Sequence, residues 1–172
     1  GATGRCPVDA LDGVARAASR LTRHVRLTAM VPVALALGSN LGDRERYLRV
    51  ALTDLASSIE GLRVSTFHVT DPVGVCDQPK FLNAAATGHT GLSARDLLAR
   101  FLEVERQHGR TRPHDDAPRT LDLDLILYGD RTIEEPDLHV PHLRFRERLF
   151  VLQPLAEIAA DWVDPATGHT VG

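Results

Sequence analysis

The order of elements in this 172-residue chain predicts an α+β sandwich of the ferredoxin-like, βαββαβ type, with small additions at its C-terminal end. Three observations lead there. Short apolar runs near Val31, Leu62, Phe81 and Leu121 have the length and alternation of strands. Two stretches, Tyr47–Leu55 and Leu97–Val104, carry apolar residues at helical spacing instead. Gly, Pro and Asp clusters separate the segments.

In chain order, Val31–Leu37 is a continuous apolar run, read as a buried strand, and Pro32 is acceptable at a strand start. The GSNLGD stretch, Gly38–Asp43, breaks it, with Asp43 placed to cap the next helix. Tyr47, Leu48, Ala51, Leu52 and Leu55 form that helix's apolar stripe, and Gly61 is expected to end it. Leu62, Val64, Phe67 and Val69 fit a second strand. Thr70–Lys80 reads as an exposed loop, and a strand leaves it at Phe81, with Asn83 as a polar side chain inside an apolar element. A structural hydrogen bond is the plain account of Asn83. Ser93 with Asp96 is a variant capping box for a helix that closes near Gly109. Gly109–Arg119 has three arginines and two prolines without apolar periodicity, which suits a mobile loop delivering cations, or simply a solvated connector.

The strand PRTLDLDLILY, Pro118–Tyr128, is the most informative stretch. Leu121, Leu123, Leu125 and Leu127 alternate with Asp122 and Asp124, so leucines are expected on the core face and both carboxylates opposite. Same-side carboxylates on a rigid strand suit a hard, oxygen-loving ion such as Mg²⁺; two solvated aspartates on an ordinary strand are the alternative. A short strand around Thr132–Ile133 follows, and then an arginine-rich segment precedes the apolar run Leu149–Leu155.

Composition narrows the function classes. The net charge of −3 argues against a general nucleic-acid footprint, and no apolar run approaches the roughly 20 residues of a membrane span. Cys6 and Cys76 make no metal spacing or disulfide framework, in keeping with a reducing, cytoplasmic setting. Residues 1–30 carry a net charge of +3 and are expected to be an appendage: a docked helix, a linker from a longer polypeptide, or a targeting segment, against which Asp9 and Asp12 count. Residues 31–172 are the expected core domain. G-x-x-x-x-G-K-[ST], the protein-kinase H-R-D and D-F-G pair, and H-E-x-x-H are all missing from the sequence. What remains is a carboxylate pair with an arginine supply, Arg110, Arg112, Arg119, Arg144, Arg146 and Arg148, the equipment of phosphoryl-type transfer.

Five segments together resemble the 6-hydroxymethyl-7,8-dihydropterin pyrophosphokinase family: ALGSNLGDR near residue 36, DQPKFLNAA near 77, VERQHGR near 104, PRTLDLDLILYG near 118 and VPHLRFRERLFVLQPL near 140. The resemblance implies transfer of the β,γ-pyrophosphoryl unit of ATP to a pterin hydroxymethyl oxygen in folate biosynthesis, with release of AMP. It implies Asp122 and Asp124 as ligands of two Mg²⁺ ions, with Arg110 and Arg119 beside them as catalytic cations. Glu105, Arg110, Arg112, Arg119, His142 and Arg148 match positions around the triphosphate. Thr70, Asp71, Val73, Phe81, Asn83 and Phe150 match the pterin side, Phe81 by looser analogy. ATP and a reduced pterin alcohol are the implied partners, without nucleic acid or membrane, and a fusion to other folate enzymes fits the leader. Three departures stand out. DDAPR replaces the family's usual R-W-G-P-R with one residue fewer, Asp115 and Asp116 bring negative charge there, and Leu143 stands where an aromatic often follows the histidine. They suggest a differently gated lid and a slow or diverged enzyme, or a binding module that has lost catalysis.

Overall fold

The computed structural model describes residues 29–74, 78–111 and 117–172. Strand β1 (Val31–Ser39) leads to helix α1 (Arg44–Leu55), strands β2 (Glu60–Val64) and β3 (His68–Thr70), and strand β4 (Phe81–Thr90). Helix α2 (Ala94–Gln107), strand β5 (Asp122–Tyr128), the hairpin β6 (Ile133–Glu135) and β7 (Leu138–Val140), and helix α3 (Leu149–Ala159) complete the order. The main sheet runs β2-β4-β1-β5, with β3 also on β4, and every pairing is antiparallel. Among the described residues no helix is long and apolar enough to cross a membrane.

Local chemistry sets the helix starts. The Asp43 carboxylate accepts from the Arg46 N–H at 3.1 Å, and Ser93 Oγ accepts from the Asp96 N–H at 3.1 Å while donating to the Asp96 carboxylate at 2.7 Å. Helices α1 and α2 bury Leu48, Ala51, Leu55, Leu97, Phe101 and Val104 against Leu35, Leu37, Leu123 and Leu125 of one sheet face.

The structure departs from the sequence expectations in three places. Helix α1 stops at Leu55 rather than at Gly61, which lies inside β2 at φ +63° where the pairing with β4 slips. A glycine supplies that left-handed conformation at no steric cost. The expected second strand is two strands, because Ser65 Oγ takes the Ala85 N–H at 2.9 Å and Thr66 turns its own N–H to Glu157 on α3 at 2.8 Å. In β5, Leu35 faces Leu125 but Ala34 faces Leu127, so Ile126 is an extra, bulged residue. Beyond it the parity flips: Leu127 packs with Ile126 on the second face, and Tyr128 takes the α1/α2 side. The apolar run after Arg148, to which the sequence reading assigns no element, is helix α3, whose Val151, Leu155 and Ala159 cover Ala34, Ala36 and Ala85. The sheet thus has helices on both faces.

Candidate active site

Strand register assembles the site. Gly38 of β1 pairs with Asn83 of β4 on one side and Asp122 of β5 on the other, and His68 of β3 extends the row beyond Asn83. The adjacent row holds Ala85, Ala36 and Asp124. These residues alternate with the leucines packed on α1 and α2, so they share the opposite face. Helix α3 starts beside Asp124, with Arg148 Nη1 3.7 Å from the Asp124 carboxylate. Small residues between the polar side chains leave this part of the sheet recessed. A Cβ on Gly38 would stand 2.9 Å from Asn83 Oδ1, 3.8 Å from the Phe81 ring and 3.9 Å from Asp122 Cβ.

The two carboxylates sit in different electrostatic company. Asp122 pairs with Arg110, and with Arg119 at 3.3 Å. Arg110 also pairs with Glu105, which is buried between α2 and β5 and accepts the Leu123 N–H at 2.8 Å. Asp124 is pushed up to about 6, first by burial and second by the charge of Asp122, with Arg148 opposing. Burial and the Arg148 charge hold His142 below the usual histidine range. Its N–H donates to the Ile126 carbonyl at 3.0 Å, and its Nδ1 accepts from Arg144 N–H at 3.2 Å. A neutral imidazole with Nδ1 so engaged carries its proton on Nε2.

On the other flank, Asn83 Nδ2 donates to Thr70 Oγ1 at 2.7 Å. The Arg119 guanidinium lies 5.5 Å over the Phe81 ring, and that of Arg148 lies 5.7 Å over Phe150. Asp71 is exposed and paired with Lys80 at 2.9 Å, and Val73 is exposed.

Of the residues nominated from sequence, Thr70, Phe81, Asn83, Arg110, Arg119, Asp122, Asp124 and Arg148 converge on this face through the contacts above. Glu105 does not open onto it but supports it from within the fold. Arg112, Asp115 and Asp116 lie outside the described residues. Arg146 belongs elsewhere: it clamps the C-terminal tail through Asp164 at 2.6 Å and the carbonyls of His169 and Thr170. Arg144 is exposed and faces Glu147 at 3.4 Å. Gly38 and Asn40 stand in the GSNLGD break and in the ALGSNLGDR segment but carry no site role in the sequence reading. The available signal was a glycine ending an apolar strand, which marks close approach of other groups.

The fold and site together define a mixed α/β domain carrying a carboxylate–arginine centre at one end of an antiparallel sheet. The family model for 7,8-dihydro-6-hydroxymethylpterin-pyrophosphokinase matches residues 34–160, and the chain belongs to that family. It is 47% identical over 135 residues to 2-amino-4-hydroxy-6-hydroxymethyldihydropteridine pyrophosphokinase of Bacillus subtilis, covering 77% of this chain and 81% of that one. It is 40% identical over 139 residues to the Pseudomonas aeruginosa protein of the same name, covering 80% and 86%. The mitochondrial folate synthesis bifunctional protein of Arabidopsis thaliana is 43% identical over 136 residues, and there the match spans 24% of the relative. Among solved structures, Plasmodium falciparum HPPK-DHPS superposes with a TM-score of 0.66 at 13% identity, covering 83% of this chain and 43% of that one.

Proposed function

We infer that this chain transfers the β,γ-pyrophosphoryl group of ATP to the hydroxymethyl group of 6-hydroxymethyl-7,8-dihydropterin, the reaction its family performs in folate biosynthesis. The observation that carries the residue assignment is the cross-strand row in which Asn83 and Asp122 flank Gly38. An acceptor held at Asn83 lies beside a phosphate held at Asp122, and such juxtaposition is most of what phosphoryl-type transfer asks of a protein. The hydroxymethyl oxygen bonds to the β-phosphorus, the bond from that phosphorus to the α,β-bridging oxygen breaks, the hydroxyl proton is lost, and AMP leaves.

Asp122 and Asp124 would hold Mg²⁺, two ions in this reading. Their oxygens suit a hard cation, and the Asp124 carboxyl, raised first by burial and second by the charge of Asp122, is one whose charged form a divalent ion would favour. No third His, Cys, Asp or Glu among the described residues makes a cluster with them, so water and phosphate oxygens would complete the shell. Bound there, Mg²⁺ supplies neutralisation of the polyphosphate charge.

The chain's own residues do the rest. Arg110, Arg119 and Arg148 place guanidinium groups around both carboxylates, where phosphate oxygens would lie. Among the described residues Arg110 Nε, Arg119 Nε and Thr120 Oγ1 are buried without a hydrogen-bond partner, and an anionic ligand that drew them out would recover that cost. Glu105 orients Arg110, and the His142 Nε2–H is a donor on the nucleotide side. Asn83 and Thr70 would read the pterin edge between the Phe81 and Phe150 rings. Asp71 and Val73 flank that site, and Arg112 joins the triphosphate contacts.

The sheet order and the two-helix face support a ferredoxin-like layout extended by α3. Residues 31–172 are taken as the pyrophosphokinase domain with 1–30 as its extension, working in the cytoplasm. Bifunctional relatives make folate-pathway enzymes natural neighbours or fusion partners. The test of this reading is pterin-dependent formation of AMP from ATP. ADP as the product, or neither nucleotide, would overturn it.

A further inference from the structure

We infer that Asn40 is a positioning residue that locks the nucleotide half of the site to the pterin half; this deepens the functional reading above and rests on it. Asn40 follows β1 two residues after Gly38 and is 1% exposed. Its main-chain N–H donates to the Arg119 carbonyl at 3.0 Å, and its Oδ1 accepts the Arg119 N–H at 2.7 Å. Its Nδ2 donates to Gln78 Oε1 at 3.1 Å and to the Pro79 carbonyl at 3.3 Å. One buried carboxamide therefore spends its acceptor on the segment entering β5 and its donor hydrogens on the segment entering β4.

Those two segments carry the facing groups of the site. Arg119 reaches Asp122 at 3.3 Å and lies over the Phe81 ring, two residues beyond Pro79. Each half retains its own strand pairing without Asn40, and the Asn40 N–H still reaches the Arg119 carbonyl, but the tie from that joint to the Gln78–Pro79 segment passes through this side chain. Acceptor and phosphate approach each other across that joint, and misplacement by about 1 Å costs about 100-fold in rate. The joint uses both the acceptor and the donor of the carboxamide. Aspartate keeps the acceptor for Arg119 but sets a charge against the Pro79 carbonyl, and alanine loses every side-chain bond of the joint, keeping only the main-chain bond to Arg119.

The experiment compares wild type, N40A, N40D and T90V. Thr90 is a buried hydroxyl at the far end of β4, bonded to the Ser58 carbonyl at 2.7 Å, and it serves as the control for stability alone. Turnover is read as AMP, and binding of the pterin and of a non-hydrolysable ATP analogue is read separately by calorimetry. N40A is expected to lose about 30-fold in kcat while each separate Kd changes less than about threefold. N40D, keeping one anchor, is expected to lose about tenfold, and T90V less than about twofold. A kcat loss in N40A no larger than in T90V, or one lying wholly in the binding constants, would overturn the inference. If N40A does not fold, wild-type turnover in N40D would overturn it equally. A wild type that makes no AMP would instead defeat the functional reading, and the role of Asn40 with it.

Discussion

Replacing Asp124 by asparagine should make the metal-free protein more stable and catalytically dead. The Asp124 carboxyl sits at about 6 rather than at its ordinary 3.8, so the folded state holds its proton more tightly than the unfolded chain does. Below pH 3.8 both states are protonated and nothing is lost. Between there and about 6 the penalty builds, and above 6 it is complete. At about 1.4 kcal/mol per pH unit, it amounts to about 3 kcal/mol. The side chain is 32% exposed, so solvent screening brings the realisable gain down to about 1–2 kcal/mol. For a domain of this size that is about 3–6 °C in Tm. Differential scanning fluorimetry of D124N and wild type at pH 7.5 and pH 4.5, with and without Mg²⁺, reads it directly. The gain should appear at pH 7.5, shrink at pH 4.5, and be offset when Mg²⁺ raises the wild-type Tm alone. No gain at pH 7.5, or an equal gain at both pH values, would refute the electrostatic account of the paired aspartates.

Other perturbations separate binding, chemistry and architecture. G38A drives a methyl group to 2.9 Å from Asn83 Oδ1, so the carboxamide must move; pterin affinity should fall about tenfold or more with little change in Tm. Asn83→Ala should weaken pterin binding by on the order of 1 kcal/mol or more while leaving ATP-analogue affinity within about twofold, both read by calorimetry. D122A should abolish turnover and retain a native circular dichroism spectrum. R146A leaves the buried Asp164 carboxylate with only the Ala166 N–H and Thr167 hydroxyl and should cost about 1–3 kcal/mol in urea unfolding, with nucleotide affinity unchanged in whatever protein remains folded.

Much of this architecture is legible in the chain because its signals are local. Asp43 and Ser93 cap the helices they precede, and the alternation from Leu121 to Leu125 faces Asp122 and Asp124 away from the α1/α2 core, as the period of two implies. The misses are non-local. Nothing near Ile126 announces a bulge, because the extra residue is defined by the partner strand, and the flipped side of Leu127 follows from it. The strand break at Ser65–Phe67 depends on Glu157, about ninety residues away. Helix α3 reads as a bare apolar run because apolar residues also occupy its outer side, with Leu149 73% exposed, and these mask the buried stripe of Val151, Pro154, Leu155 and Ala159. In the site, Asp122, Asp124 and Asn83 are visible as polar residues inside apolar strands. Asn40 is not, since its meaning lies in Arg119 and Pro79, which only the fold brings to it. Arg146 shows the opposite error: arginine content near the site was counted as phosphate binding, yet this guanidinium is engaged by the C-terminal tail.

The most direct test of the central claim is an assay of the purified protein with ATP, Mg²⁺ and 6-hydroxymethyl-7,8-dihydropterin, with AMP and ADP resolved by chromatography. AMP that forms only when the pterin is present, and is lost in D122A and D124N, is the result expected from a pyrophosphoryl transfer held between Asn83 and the paired aspartates. ADP as the nucleotide product, or AMP formation that persists in both aspartate variants, would contradict it.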